Sequence, residues 1–403
     1  MALDRIVVVG ASLAGARAAQ NLRRQGHDGG LVIIGAEEHL PYDRPPLSKQ
    51  MLTTDMDPGD LALNPPETYD EIGADLLLGA PATGIDLQSR VVTVGEEAVP
   101  FDGLVIATGA RARNIPGAEN LAGVHTLRTL DDALAIRDDL REGVTVVVVG
   151  AGFIGSEVAA AAAARGCRTT VVEAAPAPLV RGLGAEMGMA CGGLHATQGV
   201  ELRLGQGVSA LHGSDRVEAV ELTDGTRLDA DVVVVGIGVT PNTAWLEGSG
   251  LTVDNGVVCD GTMNAGVPGV YAVGDVVRAP NAWIGPEPVR VEHWTAATEQ
   301  AMLVAGNLLD PDNASVYDSV PFVWSDQYDD RIQIAGHPSA DDSVEVLVGA
   351  IDDRSFVAGY QRDGRLAGVM ALNSIKPFVQ YRRLLLAHAT WAEALEKADE
   401  LNA

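Results

Sequence analysis

The chain has 403 residues, more than one domain ordinarily holds, so two or three units with separate cores are expected. A formal net charge of −27 argues against a partner in nucleic acid or an anionic membrane, since either needs a basic face to meet phosphate. Apolar content is ordinary, no tract or charge block suggests a disordered tail, and no segment approaches the length of a membrane span, which together indicate a soluble cytoplasmic protein.

The first element is the phrase Val7-Val8-Val9-Gly10-Ala11-Ser12-Leu13-Ala14-Gly15. The apolar run after Asp4 and Arg5 is short and reads as a strand and turn, not as a leader peptide. β-Branched residues run into spaced glycines and then into a helix-forming stretch, the context in which G-x-G-x-x-G marks a dinucleotide cradle. Ser12 stands in the place of the second glycine, and it is the next smallest residue with a polar tip. The following strand, "LVIIGAEE" from Leu31, puts Ala36 where an acid would hold a ribose, with Glu37 as the available substitute. Ala14 is grouped with these as a cofactor contact.

"PYDRPPLSK" (Pro41 to Lys49) and "LVIATGA" (Leu104 to Ala110) come next, and "ATGARARNIPG" closes a first α/β unit. The opening phrase then returns at Val147 to Gly155 as "VVVGAGFIG". Here Gly150 permits the tight turn, Gly152 lets backbone approach a pyrophosphate, and Gly155 lets helix and strand pack closely. The helix start supplies amides and a positive dipole. Thr169 to Glu173 is the next strand, and the Glu173 carboxylate suits ribose hydroxyls while repelling a 2′-phosphate, which favours NADH; Arg168 tempers that preference. "VVVVGIGVTPN" (Val232 to Asn242) closes the inserted unit, with Gly238 as a further cofactor contact.

Further on lie "VYAVGDV" (Val270 to Val276), "RVEHW" (Arg290 to Trp294) opening a helix that buries Ala297, Ala301, Val304 and Leu308, and "FVWSDQYD" (Phe322 to Asp329). After Pro321 the stretches "VEVLVGAI", "RSFVAGYQ" and "LAGVMALN" read as antiparallel strands with an Asp363-Gly364 hairpin turn. From Lys376, the positions Phe378, Tyr381, Leu385, His388, Trp391 and Leu395 recur at helical intervals. The three cysteines, Cys167, Cys191 and Cys259, form no C-x-x-C and read as small buried apolar residues; no metal site is expected.

Two cradles without a substrate-sized third signature suggest two dinucleotides, one bound and one diffusing, and a flavin with a nicotinamide is the natural pair. The quoted phrases, in their order over essentially the whole chain, resemble the FAD-dependent NADH:ferredoxin reductases, the group of putidaredoxin reductase, rhodocoxin reductase and biphenyl-dioxygenase ferredoxin reductase. The resemblance implies an α/β fold with two Rossmann-like, glutathione-reductase-like dinucleotide-binding domains and a C-terminal α+β domain. Its boundaries would be 1–113 and 241–320 for a split FAD domain, 114–240 for the NAD domain and 321–403 for the last. It implies hydride passing from NADH, the diffusing substrate, to bound FAD, then single electrons to a two-iron two-sulfur ferredoxin that serves a haem monooxygenase or ring-hydroxylating dioxygenase. The oligomer is left open between monomer and dimer.

By the same resemblance, Asp275 bonds the ribityl chain, and Lys49 pairs with Glu157 at the flavin in a catalytic role, a plain structural ion pair being the alternative. Arg44 and Arg128 contact the FAD pyrophosphate or ring, and Ala82 and Val291 offer backbone contacts. Glu292 and His293 bring the start of their helix to the flavin pyrimidine edge, with His293 packed or capping, and Trp324 borders the ring. Arg290, Arg331, Lys376, Arg382 and Arg383 are candidates for docking an acidic ferredoxin, the last two also reading as a solvated helix face. Rival functions are the same fold with another acceptor (rubredoxin, a quinone or dioxygen), or a redox-sensing interaction protein of the apoptosis-inducing-factor type.

Overall fold

The computed structural model describes residues 3–403, the side chain of Asn120 excepted. The chain divides into two compact units. The first takes residues up to Asp43, Gly59–Arg111 and Thr240–Pro321; the second takes Arg44–Pro58, Ala112–Val239 and Phe322–Ala403.

In the first unit the β-branched run Arg5–Val9 is the central strand of a five-stranded parallel sheet. Its neighbours are Gly30–Ile34, with Val8 opposite Ile33, and Gly103–Ile106, with Val8 opposite Val105. Ala74–Leu77 and Val270–Ala272 form the two edges. The central strand is buried along nearly its whole length, as a parallel strand covered on both faces must be. The helix Leu13–Arg24 packs against the helix Trp294–Leu309. Ala297, Ala301, Val304 and Leu308 are all buried, as their spacing predicts.

The second unit repeats the plan. Thr145–Val149 lies at the centre of a parallel sheet in the order Glu201–Leu204, Arg168–Glu173, Thr145–Val149, Val232–Val235, Val124–Thr126. The alanine-rich helix Phe153–Ala164 follows the central strand, and its small side chains allow close packing. The same unit holds a five-stranded antiparallel sheet whose strands run, in order, Phe322–Gln327, Asp330–Gly336, Arg365–Leu372, Ser355–Arg362 and Ser343–Ala350. The expected hairpin is present: Arg362 pairs with Arg365 across Asp363 and Gly364, at φ 51° and 76°, the left-handed pair that a two-residue turn requires.

The tail departs from its helical spacing. It is two helices, Ile375–Leu386 and Trp391–Asn402, separated by a turn in which His388 takes φ 51°. The second helix has its own start signal. Thr390 accepts from the Glu393 amide at 3.3 Å while Glu393 accepts from the Thr390 amide at 2.7 Å, a reciprocal cap that holds the Glu393 carboxyl below the usual range.

Candidate functional site

In the first unit Gly10 turns the chain at φ 124° with its N–H donated to Ile34 O at 2.7 Å. A Cβ on Gly15 would stand 1.9 Å from Gly10 O, so helix and strand meet at van der Waals distance only because that position has no side chain. Ser12 is the N-cap of the helix Leu13–Arg24 and gives it no side-chain capping bond. The turn holding Asp275 is brought to this helix start: a Cβ on Gly274 would lie 3.1 Å from the Ala14 Cβ. Gln300 of the helix Trp294–Leu309 accepts the Gly274 amide at 2.8 Å, which ties that helix to the same turn. Gly10, Ser12, Ala14, Gly15 and Asp275 therefore converge.

Glu37 accepts from the Tyr42 hydroxyl at 2.5 Å, and Ala36 beside it is exposed. The segment before the helix at Trp294 carries Val291, half-buried, and Glu292, which pairs with Arg290; His293 is the helix N-cap. The Trp294 indole N–H donates to Asp43 Oδ1 at 2.7 Å, a contact that sequence reasoning missed. Ala82 belongs to a separate antiparallel sheet, opposite Val94.

The second cradle follows the first in detail. Gly150 lies at φ 103° and a Cβ on Gly155 would stand 2.0 Å from Gly150 O. Gly152 caps the helix Phe153–Ala164 without a side chain, and a Cβ there would meet nothing within 4 Å. The space beyond Gly152 is open toward the uncapped helix start, which fits a dinucleotide pyrophosphate. Glu173 closes one side of this mouth, accepting the amides of Ala151 at 2.7 Å and Ala175 at 2.8 Å. Gly238 follows the neighbouring strand at φ 97°, also with open space about it.

The same unit contains the Lys49–Glu157 pair at 2.8 Å. Glu157 is 3 % exposed on the buried side of the cradle helix. Its Oε2 also accepts from Ser48 at 2.5 Å, and its Oε1 accepts from Ser325 at 2.6 Å. Ser48 ends the short turn Pro45–Ser48, which the two prolines start. Ser325 lies on the strand Phe322–Gln327, where side chains alternate: Phe322 and Trp324 share one face, with rings stacked at 5.9 Å, while Ser325 and Gln327 share the other. Both serines were missed from sequence. One adjoins Lys49 and the other follows Trp324 on the opposite face of its strand, and neither position alone marks a partner for Glu157. Arg44 donates to Arg128 O, so those two predicted contacts also meet.

No redox thiol accompanies these cradles. Cys167, Cys191 and Cys259 are free and buried, and burial pushes the Cys191 and Cys259 thiols up to about 12. Two glycine cradles on paired Rossmann-type sheets, one ending in an acid, define a dinucleotide-dependent oxidoreductase.

Residues 4–301 match the family described as pyridine nucleotide-disulphide oxidoreductase, and residues 322–401 match the reductase C-terminal family. Rhodocoxin reductase of Rhodococcus erythropolis is 38 % identical over 94 % of this chain and 89 % of its own length. The ferredoxin reductase for the CYP199A2 system from Rhodopseudomonas palustris superposes with a TM-score of 0.93 at 34 % identity, covering 99 % of this chain and 100 % of that one. Putidaredoxin reductase, in its covalent complex with putidaredoxin, superposes with a TM-score of 0.92 at 31 % identity over 98 % of each chain. The chain belongs to the pyridine nucleotide-disulphide oxidoreductase family, in its group of FAD- and NAD-dependent ferredoxin reductases. It is a flavoprotein enzyme of the fold class expected from its sequence.

Proposed function

We propose that this chain moves electrons from NADH through bound FAD to a two-iron two-sulfur ferredoxin that serves a haem monooxygenase or a ring-hydroxylating dioxygenase in the cytoplasm, acting as a monomer or dimer. Segments 1–113 and 241–320 would hold FAD, 114–240 would hold NADH, and 321–403 would complete the flavin's surroundings. The observation that carries this reading is the pairing of two cradles with three buried, protonated thiols: electrons entering the chain find no dithiol and must leave to an external acceptor. Relatives support the choice of acceptor, because putidaredoxin reductase is known in complex with putidaredoxin. No helix among the described residues is long and apolar enough to cross a membrane, which is compatible with a cytoplasmic site.

Bound FAD supplies acceptance of a hydride and release of electrons singly. The chain's own residues bind and orient. Gly10, Ser12, Ala14, Gly15, Glu37 and Asp275, with Arg44 and Arg128, would hold FAD; Ala36, Ala82, Val291, Glu292, His293 and Trp324 would border it. Gly150, Gly152, Gly155, Glu173 and Gly238 would hold NADH. Lys49, kept in place by Glu157, would put a fixed positive charge beside the reacting centre.

Of the cations considered for docking, Arg290 pairs with Glu292 and Arg331 with Asp326 at 3.5 Å. Arg382 lies over the Phe322 ring, 4.7 Å from its centroid. Lys376 and Arg383 are exposed on the helix Ile375–Leu386, interleaved with exposed Ile375, Val379 and Leu386, and neither forms an ion pair with a carboxylate among the described residues. A mixed basic and apolar face suits an acidic protein partner.

The test is anaerobic visible spectroscopy of the FAD-loaded protein with NADH and, in parallel, NADPH, followed by addition of candidate ferredoxins. Rapid bleaching with NADH and onward reduction of a two-iron two-sulfur ferredoxin are expected. Flavin that NADH leaves oxidised would overturn the reading.

A further inference from the structure

The Lys49–Glu157 pair is not self-sufficient. A lysine stem has four rotatable carbons, so its ammonium sits where its acceptors place it. Lys49 Nζ has two acceptors, Glu157 Oε2 at 2.8 Å and Pro45 O at 3.2 Å, and the carboxylate is the closer. What places the carboxylate is a second question, and the structure answers it with two hydroxyls.

Ser48 is 2 % exposed and Ser325 is wholly buried. Each spends its one hydroxyl proton on Glu157, from opposite sides: Ser48 on Oε2 and Ser325 on Oε1. The direction of the Ser325 hydroxyl is itself set, because Gln327 Nε2 donates to Ser325 Oγ at 3.3 Å and leaves the serine proton only the carboxylate to serve. With Lys49 the carboxylate has three donors from separate parts of the second unit: the turn Pro45–Ser48 with its neighbour Lys49, and the strand Phe322–Gln327. Hydrogen bonds to a charged group in a dry setting are directional and strong, so this set leaves Glu157 one position.

We infer that Ser48 and Ser325 are positioning residues for Lys49: by pinning Glu157 from both sides they fix the ammonium, with Gln327 orienting the second hydroxyl. Neither serine needs to touch a substrate or cofactor. The inference rests on the reading that Lys49 acts beside the flavin.

The experiment uses the full-length FAD-loaded protein and compares Ser48→Ala, Ser325→Ala, Lys49→Ala and the two doubles that combine each serine change with Lys49→Ala. Two quantities are read: the limiting rate of flavin reduction by NADH in anaerobic stopped flow, and the flavin midpoint potential. Each serine variant should slow reduction about tenfold, the effect of losing one hydrogen bond to a charged group. Each should move the potential in the same direction as Lys49→Ala. In the Lys49→Ala background neither serine change should alter rate or potential further, because the residue it acts through is gone. Serine variants that match the wild type while Lys49→Ala is slow overturn the inference and leave the proposed function standing. Equal fold-losses with and without Lys49 overturn it too, since they show a structural contribution. A wild-type rate in Lys49→Ala instead removes the role assigned to Lys49, and the inference with it. Should Ser325→Ala fail to load FAD, Ser48→Ala carries the same comparison.

Discussion

His195 Nδ1 lies 2.7 Å from the Tyr328 hydroxyl, which joins the helix Val180–Thr197 to the turn after the strand Phe322–Gln327. The other ring nitrogen is 3.3 Å from Ser156 Oγ, the residue before Glu157. Burial pushes the His195 imidazole down to about 4 from an ordinary 6.5. The folded protein therefore resists protonation where the unfolded chain accepts it. Stability should be intact above 6.5 and should fall as pH drops from there toward 4, with a His195 share of about 2 kcal/mol lost by pH 5. Chemical unfolding of wild type and His195→Gln at pH 7.5 and 5 measures this: the wild type should lose more stability across that interval, and equal losses would refute the assignment.

Gly152→Ala separates binding from folding. The added Cβ meets no protein atom within 4 Å and the backbone there, φ −76° and ψ −178°, accommodates any residue. The stability of the variant should stay within about 0.5 kcal/mol of the wild type, as for a neutral change, while the NADH dissociation constant rises by about tenfold or more because the methyl occupies the pyrophosphate's approach. Titration calorimetry and a melting curve on one preparation decide it.

Glu173→Arg should shift selectivity from NADH toward NADPH by replacing a carboxylate that repels a 2′-phosphate with a group that attracts it. The change also strips the amides of Ala151 and Ala175 of their acceptor, so a loss of about 1–3 kcal/mol of stability accompanies it. Steady-state kinetics with both nucleotides gives the ratio, and an unchanged preference would remove Glu173 from the ribose site.

Lys49→Ala leaves a buried carboxylate with two hydroxyls and no cation. A destabilisation of about 3 kcal/mol is expected, from the range for breaking a buried pair, together with slower flavin reduction by NADH. Unfolding and stopped-flow measurements separate the two effects. Slower reduction in the folded, FAD-loaded variant supports a role at the flavin, and an unstable variant with a normal rate assigns the pair to structure alone.

Charge reversal at Lys376 and Arg383 should slow electron delivery to ferredoxin several-fold at low ionic strength and progressively less as salt is raised. Flavin reduction by NADH should not change. A reductase whose coupled turnover ignores both substitutions docks its partner elsewhere.

The sheets and cradles were legible because their signals are local: a β-branched run, a glycine pattern and an acid at the next strand end lie within about thirty residues of each other. Asp363-Gly364 was legible for the same reason, since two left-handed residues between alternating strands admit one turn. The tail was harder. His388 falls at a helical interval from Leu385, and only the Thr390–Glu393 reciprocal cap reveals that a new helix starts beyond it. Ser48 and Ser325 were not legible as a pair, because their separation of 277 positions is closed by the packing of three elements at Glu157, and serine carries no pattern that announces such a meeting. The Trp294–Asp43 bond, spanning 251 positions, was hidden in the same way.

The edge strand Val270–Ala272 imposes an order on the making of this protein. It pairs with Gly103–Ile106, Leu104 opposite Val270, so the first sheet stays a strand short until the ribosome has passed residue 272. The five strands of the other parallel sheet lie between Val124 and Val235 and are already available by then. All strands of the second sheet thus precede the strand that completes the first, and the turn Gly274–Val276 follows directly behind that strand. A chain cut before Val270 would therefore lack one edge of its first parallel sheet while keeping every strand of the second.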